Sequence, residues 1–178
     1  LERLGLPLPR VAVVLAAGPI VSWDEEQIPA GRIGGRPLAR LLRRLAKDRK
    51  ISAVVLRIDS PGGSGLVSDQ LWREVRRLKK RKPVVASMGS TAASGGYYLA
   101  MATDRICASE TTITGSIGVV AGKFDISGLL AKVGLNQEVL SYGKNTGIYS
   151  PTTGLTDAER ARLKEFLKEF YGVFVDKA

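Results

Sequence analysis

Apolar positions along this chain fall into two alternating patterns. Short runs at residues 11–15, 53–58 and 83–88, rich in Val, Ile and Leu, read as strands, the first of them buried. Between them lie stripes at helical spacing. Leu38, Leu41, Leu42 and Leu45 recur at i, i+3, i+4 and i+7 behind Pro37, a residue suited to a first helical turn. Leu71, Val75 and Leu78 mark a second helix over about 68–80, and a third follows Gly95. Weaker strand patterns recur at 105–108, 116–120 and 137–140, with a helix near 126–133. Thr156 and Glu159 stand at capping-box spacing ahead of a last helix carrying Leu163, Phe166, Leu167 and Phe170. Residues 22–35, with Pro29, Gly31, Gly34 and Gly35, read as a loop. Strands alternating with helices predict an α/β fold with mostly parallel strands, and 178 residues suit one domain over 1–178. The chain starts at Leu1 and its last helical pattern runs to the end, so a piece of a longer protein is expected.

Composition narrows the chemistry. There is no histidine, which excludes a Ser-His-Asp or Cys-His site built from this chain and any His-ligated metal. The single cysteine, Cys107, excludes an internal disulfide; its apolar neighbours predict a buried, inert thiol. No metal site and no cofactor is expected. Net charge is +10, concentrated in two places. Residues 32–50 hold eight basic side chains against Asp48, and residues 73–82 hold seven against Glu74. Both segments read first as solvated helix faces, then as contacts for an anionic membrane surface. No motif accompanies them that would argue for nucleic acid. No stretch reaches the roughly 18 apolar residues of a membrane span.

Two glycine-rich turns follow successive strands, and in a parallel sheet both lie at the end where ligands bind. Ser60-Pro61-Gly62-Gly63-Ser64 is either a plain strand-to-helix turn or an oxyanion hole, whose amide donors must be fixed before charge develops. Ala92-Ala93-Ser94-Gly95-Gly96 opens a helix, with Ser94 either an N-cap or an exposed nucleophile among small neighbours. A serine nucleophile without histidine needs another base, and a desolvated lysine is the usual one. Gly62, Gly63, Ala92 and Ala93 predict a pocket for small or apolar side chains. Tyr97, Tyr98, Phe166 and Phe170 are expected in the core, Asp59 as a strand-end hydrogen-bond acceptor, and Lys123 as an exposed loop residue.

Ser60–Ser64, Ser87-Met88-Gly89, Ala92-Ala93-Ser94-Gly95-Gly96-Tyr97-Tyr98 and Thr114-Gly115-Ser116-Ile117-Gly118-Val119 together resemble the signal peptide peptidase A, or protease IV, family. The resemblance covers about residues 10–175. It implies a Clp-protease and crotonase-like fold of ββα units. It implies a Ser/Lys endopeptidase that degrades cleaved signal peptides at the membrane, working as a homo-oligomer. It places the nucleophile at Ser94, the oxyanion hole on the amides of Gly95 and the Gly62-Gly63 turn, and a lysine-supporting hydroxyl at Ser116.

The lysine is where the pattern departs. In short members of the family a lysine precedes a Ser-Pro, at the place Thr146 holds before Ser150-Pro151. Lys144 lies two residues earlier, on the same side of an extended segment but about 7 Å away. In long members with two tandem repeats the serine sits in the second repeat and the lysine in the first. Residues 30–35 and Thr146 resemble that second repeat. Three readings stand: Lys144 is the base, a lysine comes from outside this chain, or the base is lost and the chain is a silent assembly or peptide-binding module. An acyl-CoA binder on the same scaffold would keep the glycine turn and have no use for Ser94.

Overall fold

The computed structural model describes residues 8–21, 30–140 and 142–178. The loop expected from residue 22 lies outside them as far as residue 29. The chain divides into two compact units, one reaching to Ile117 and including Lys177–Ala178, the other Gly118–Asp176.

The first unit is built on parallel strands. They are β1 (Arg10–Ala17), β4 (Ile51–Ser60), β5 (Val84–Ala93) and β6 (Arg105–Cys107), side by side in that order. A short β7 (Ile113–Gly115) pairs with the far end of β5. Two-residue strands β2 (Ile20–Val21) and β3 (Ile33–Gly34) pair with each other. Helices α1 (Gly35–Lys47) and α2 (Gly65–Lys79) make the crossovers that parallel strands require. Alternation decides what is buried. Val54, Leu56 and Ile58 of β4 and Val84, Ala86 and Met88 of β5 point into the core. There they meet Leu38 and Leu42 of α1 and Leu71, Val75 and Leu78 of α2. Each such side chain contributes about 2 kcal/mol of transfer free energy.

Three expectations are corrected here. The run at 11–15 is not buried throughout: β1 is an edge strand, and Val13 and Leu15 are each 70% exposed while Val14 and Ala16 are buried. Cys107 is exposed, because β6 is only three residues long and all three face outward. Helix α2 begins at Gly65, earlier than its apolar stripe suggests, because Ser64 caps it through the Val67 amide.

Glu74 joins the two long helices. Its carboxylate is 4% exposed and accepts from Arg43 at 2.7 and 2.9 Å and from Arg77 at 2.6 Å. The Arg43 hydrogen bonds above all hold the carboxyl below its ordinary range, against the opposing pull of burial. Glu74→Gln is therefore expected to cost about 2 kcal/mol of stability at neutral pH by urea denaturation. A depressed carboxyl stabilises the fold above the unfolded value of 4.5 and stops doing so as pH falls through the lower folded value. Wild-type and variant curves should converge in acid, and a constant gap at all pH values would refute the ion-pair account.

The second unit holds α4 (Ser127–Lys132) and α5, which spans Asp157–Lys177. The capping box forms as expected. The Glu159 amide donates to Thr156 Oγ1 at 3.2 Å, and the Thr156 amide donates to Glu159 Oε2 at 2.9 Å. The strands expected at 116–120 and 137–140 are absent; neither segment finds a ladder partner among the described residues. Apolar side chains stand out from this unit, Val120, Phe124, Leu140 and Tyr142 among them. Phe166 is likewise exposed and Phe170 only half-buried, paired with each other at 6.5 Å, so the expected core role fails for Phe166. Tyr98 is fully buried and Tyr97 packs at the core edge.

Candidate active site

Because β4 and β5 are parallel, their C-terminal turns sit side by side, with Ser60 opposite Ala92. The ladder slips just before this point: between the pairs Ile58–Met88 and Ser60–Ala92, the single residue Asp59 of β4 faces three residues of β5. Asp59 holds the resulting bulge. Its Oδ1 accepts from the Ser90 hydroxyl at 2.9 Å and from the Thr91 amide at 3.0 Å. The Ser90 bond chiefly, then the Thr91 amide, keep this carboxyl below its ordinary range. Gly89 is required here, since a Cβ would lie 2.7 Å from the Asp59 carboxyl carbon. The expected strand-end acceptor is thus a brace that aims the last residues of β5.

Beyond β5 comes Ser94, then the six-residue α3 (Gly95–Ala100). Ser94 has φ 50 and ψ −116, the first corner of a type II′ turn, a conformation that L-residues adopt only under strain. Its amide donates to Gly115 O at 2.9 Å and its carbonyl accepts from the Tyr98 amide at 2.8 Å. Its side chain makes no cap bond, which removes the N-cap alternative. The backbone is bent and pinned while Oγ is left without a partner among the described residues, half-exposed. A bent turn among small neighbours that leaves one hydroxyl free is the geometry a nucleophile elbow requires.

The glycine turn is packed directly on that elbow. Gly62 has φ 101, and a Cβ on it would meet Gly95 N at 2.6 Å and Ser94 Cβ at 2.8 Å, so no other residue fits. The Gly62 amide is taken by Ser60 Oγ at 3.1 Å. That narrows the sequence expectation: of the Gly62-Gly63 pair, the Gly63 amide is the open donor. Neither it nor the Gly95 amide has an acceptor among the described residues. Ser60, fully buried, was not foreseen as the residue that fixes this turn; a serine two residues before a glycine at a strand end is too common a pattern to have signalled it.

Ser116 joins the site through β7. Ala93 pairs with Gly115, so Ser116 lies one step past the ladder, beside Ser94. It too has positive φ, 49, and an exposed hydroxyl without a partner among the described residues. Among the described residues three non-glycine residues have positive φ: Ser94, Ser116 and Asn145. Ala92 and Ala93, expected to line a pocket with the two glycines, are both buried beneath the turn.

Lys144 is exposed and belongs to the second unit. Lys123, expected in an exposed loop, is half-buried in the same unit and donates to Gly147 O at 2.7 Å. Within the first unit Lys177 reaches Asp69 and the Tyr98 hydroxyl and lies 4.5 Å from the Trp72 ring centre. Burial pulls its pKa down, but the bonds to Asp69 and Tyr98 outweigh this and raise it, opposite to what a base needs. Sequence gave no signal for this cluster, whose members are up to 108 residues apart. Among the described residues no group of side chains could hold a metal ion.

Comparison with known proteins agrees with the geometry. The model of Peptidase family S49 matches residues 76–178. Serine protease SPPA, chloroplastic, of Arabidopsis thaliana is 40% identical over 171 residues, 95% of this chain and 25% of that protein. Protease 4 of Haemophilus influenzae is 38% identical over 154 residues, 85% of this chain and 24% of that protein. The chain thus spans about a quarter of the length of these relatives. A solved membrane-bound stomatin-specific protease shares the fold, with a TM-score of 0.53 at 21% identity over 66% of this chain and 52% of that one. The fold is α/β of the Clp-protease and crotonase kind.

Proposed function

The chain belongs to peptidase family S49, and from that premise we propose that it is the serine-bearing part of a Ser/Lys endopeptidase. Ser94 Oγ attacks a peptide carbonyl while a neutral lysine amine takes its proton. The oxyanion forms against the Gly63 and Gly95 amides, and the amine then protonates the leaving nitrogen. Water, activated by the same lysine, releases the acyl group. Ser116 supports that lysine by a hydrogen bond. On this reading both units serve one peptidase domain. The substrates are apolar peptides of the signal-peptide kind, handled at a membrane by a homo-oligomer. The substrate, the setting and the assembly rest on the motif resemblance, and no helix among the described residues is long and apolar enough to cross a membrane.

One observation carries the proposal: a serine held at φ 50 with its hydroxyl unpartnered, against a turn where only glycine fits. Backbone strain of this kind clusters at active sites. A fluorophosphonate probe applied to the full-length protein containing this chain is expected to form an adduct on Ser94, located by peptide mapping. Peptides with Leu or Ala at the scissile bond should be cleaved faster than those with Asp or Lys. Peptide cleavage without any adduct on Ser94 would move the chemistry elsewhere.

A further inference from the structure

We propose that the end of the first unit opposite Ser94 is a docking surface for an anionic lipid bilayer. Parallel strands give the unit two unlike ends. The turns at Gly62-Gly63 and Ser94 mark one; the starts of the strands mark the other, where Arg10 pairs with Ile51 and Arg105 with Val85. Both long helices also end there, and both end in cations: Arg44 and Lys47 in α1, and Arg76, Arg77 and Lys79 in α2. The connections into β4 and β5 add Arg49, Lys50, Lys80 and Arg81, all exposed.

The acids nearby do not cancel this charge. Glu74 is buried under Arg43 and Arg77. Asp104 accepts from the Val84 amide and pairs with Lys79, and Asp48 accepts from the Lys50 amide. Arg10 and Arg105, at the starts of the outer strands β1 and β6, stand exposed at the same end. The result is a cationic pole about one strand length, roughly 30 Å, from Ser94.

Its chemistry matches a lipid surface better than a nucleic acid. Between α1 and α2 lies a cavity of about 370 Å³ lined by the apolar Leu42, Ala46 and Leu78, by Glu74 paired with Arg43 and Arg77, and by the cations Lys47, Lys80 and Arg81, unpaired among the described residues. Cations beside apolar side chains suit an anionic headgroup and the first carbons of its chains. A nucleic-acid strand would want exposed aromatic faces between the cations, and α2's Trp72 is half-buried and faced by Arg76 and Lys177.

The test is co-sedimentation of this chain with vesicles. It is expected to bind phosphatidylcholine vesicles doped with phosphatidylglycerol, to ignore pure phosphatidylcholine, and to release as salt screens the attraction. Reversing Arg49, Lys50, Lys80 and Arg81 to Glu should weaken partitioning by about tenfold or more. Reversing Arg160, Arg162, Lys164 and Lys168 on α5, the same change in net charge, should leave most of it. A circular-dichroism melt checks the fold; should the glutamate variant fail to fold, the same four residues changed to Gln are expected to give a smaller loss. Failure to bind phosphatidylglycerol vesicles, equal loss in both charge-reversed variants, or binding of an RNA duplex in preference to vesicles would each overturn the proposal. No outcome depends on peptidase activity.

Discussion

Ser94→Ala is expected to lower kcat/KM of the full-length protein by roughly four to six orders of magnitude, as loss of a nucleophile does. Stability should move by no more than about 0.5 kcal/mol, because Ser94 Oγ makes no hydrogen bond among the described residues for alanine to lose. Ser94→Gly sharpens the test. Glycine tolerates φ 50 without strain, so it should inactivate equally while raising stability by about 1 kcal/mol. A residue kept strained for chemistry predicts that pairing of lost activity with gained stability. A strained residue kept for folding predicts the reverse. Residual turnover near wild type in a folded Ser94→Ala protein would end the serine-peptidase reading.

What the sequence made legible follows from which contacts are local. The three long strands, two helices and both glycine turns are written in runs and stripes of neighbouring residues. Their parallel order then places Gly62 and Ser94 together without further information. What failed depends on distant pairing. β7 was expected at 116–120 and lies at 113–115, because its position is set by Thr91–Ala93 across the ladder rather than by its own apolar content. That shift turns Ser116 from a strand residue into a strained corner beside Ser94. The bulge at Asp59 was hidden for the same reason, since it depends on a register that no local pattern reports, whereas the Ser60 bond to Gly62 is local but follows a pattern too common to signal it. Cys107 and Phe166 show the other limit. Apolar neighbours forecast burial only where another element covers them, and among the described residues neither is covered.

The largest remaining effect concerns the base. Alone, this chain is expected to hydrolyse peptides at least about a thousandfold more slowly than the full-length protein, because a serine hydroxyl without an adjacent base is an ordinary alcohol. Lys177, the lysine of the first unit that reaches α3, is committed to Asp69 and Tyr98 and held cationic. Lys144 stands two residues before the place where short members of the family carry their lysine, so Lys144→Ala in the full-length protein should preserve most activity. Rates should rise with pH as the true lysine loses its proton, since only the neutral amine accepts one from Ser94. An active isolated chain that Lys144→Ala silences would assign the base to Lys144 and defeat this expectation. Inertness of both the isolated chain and the full-length protein, with Ser94 unlabelled, would instead make the scaffold a silent peptide-binding or assembly module.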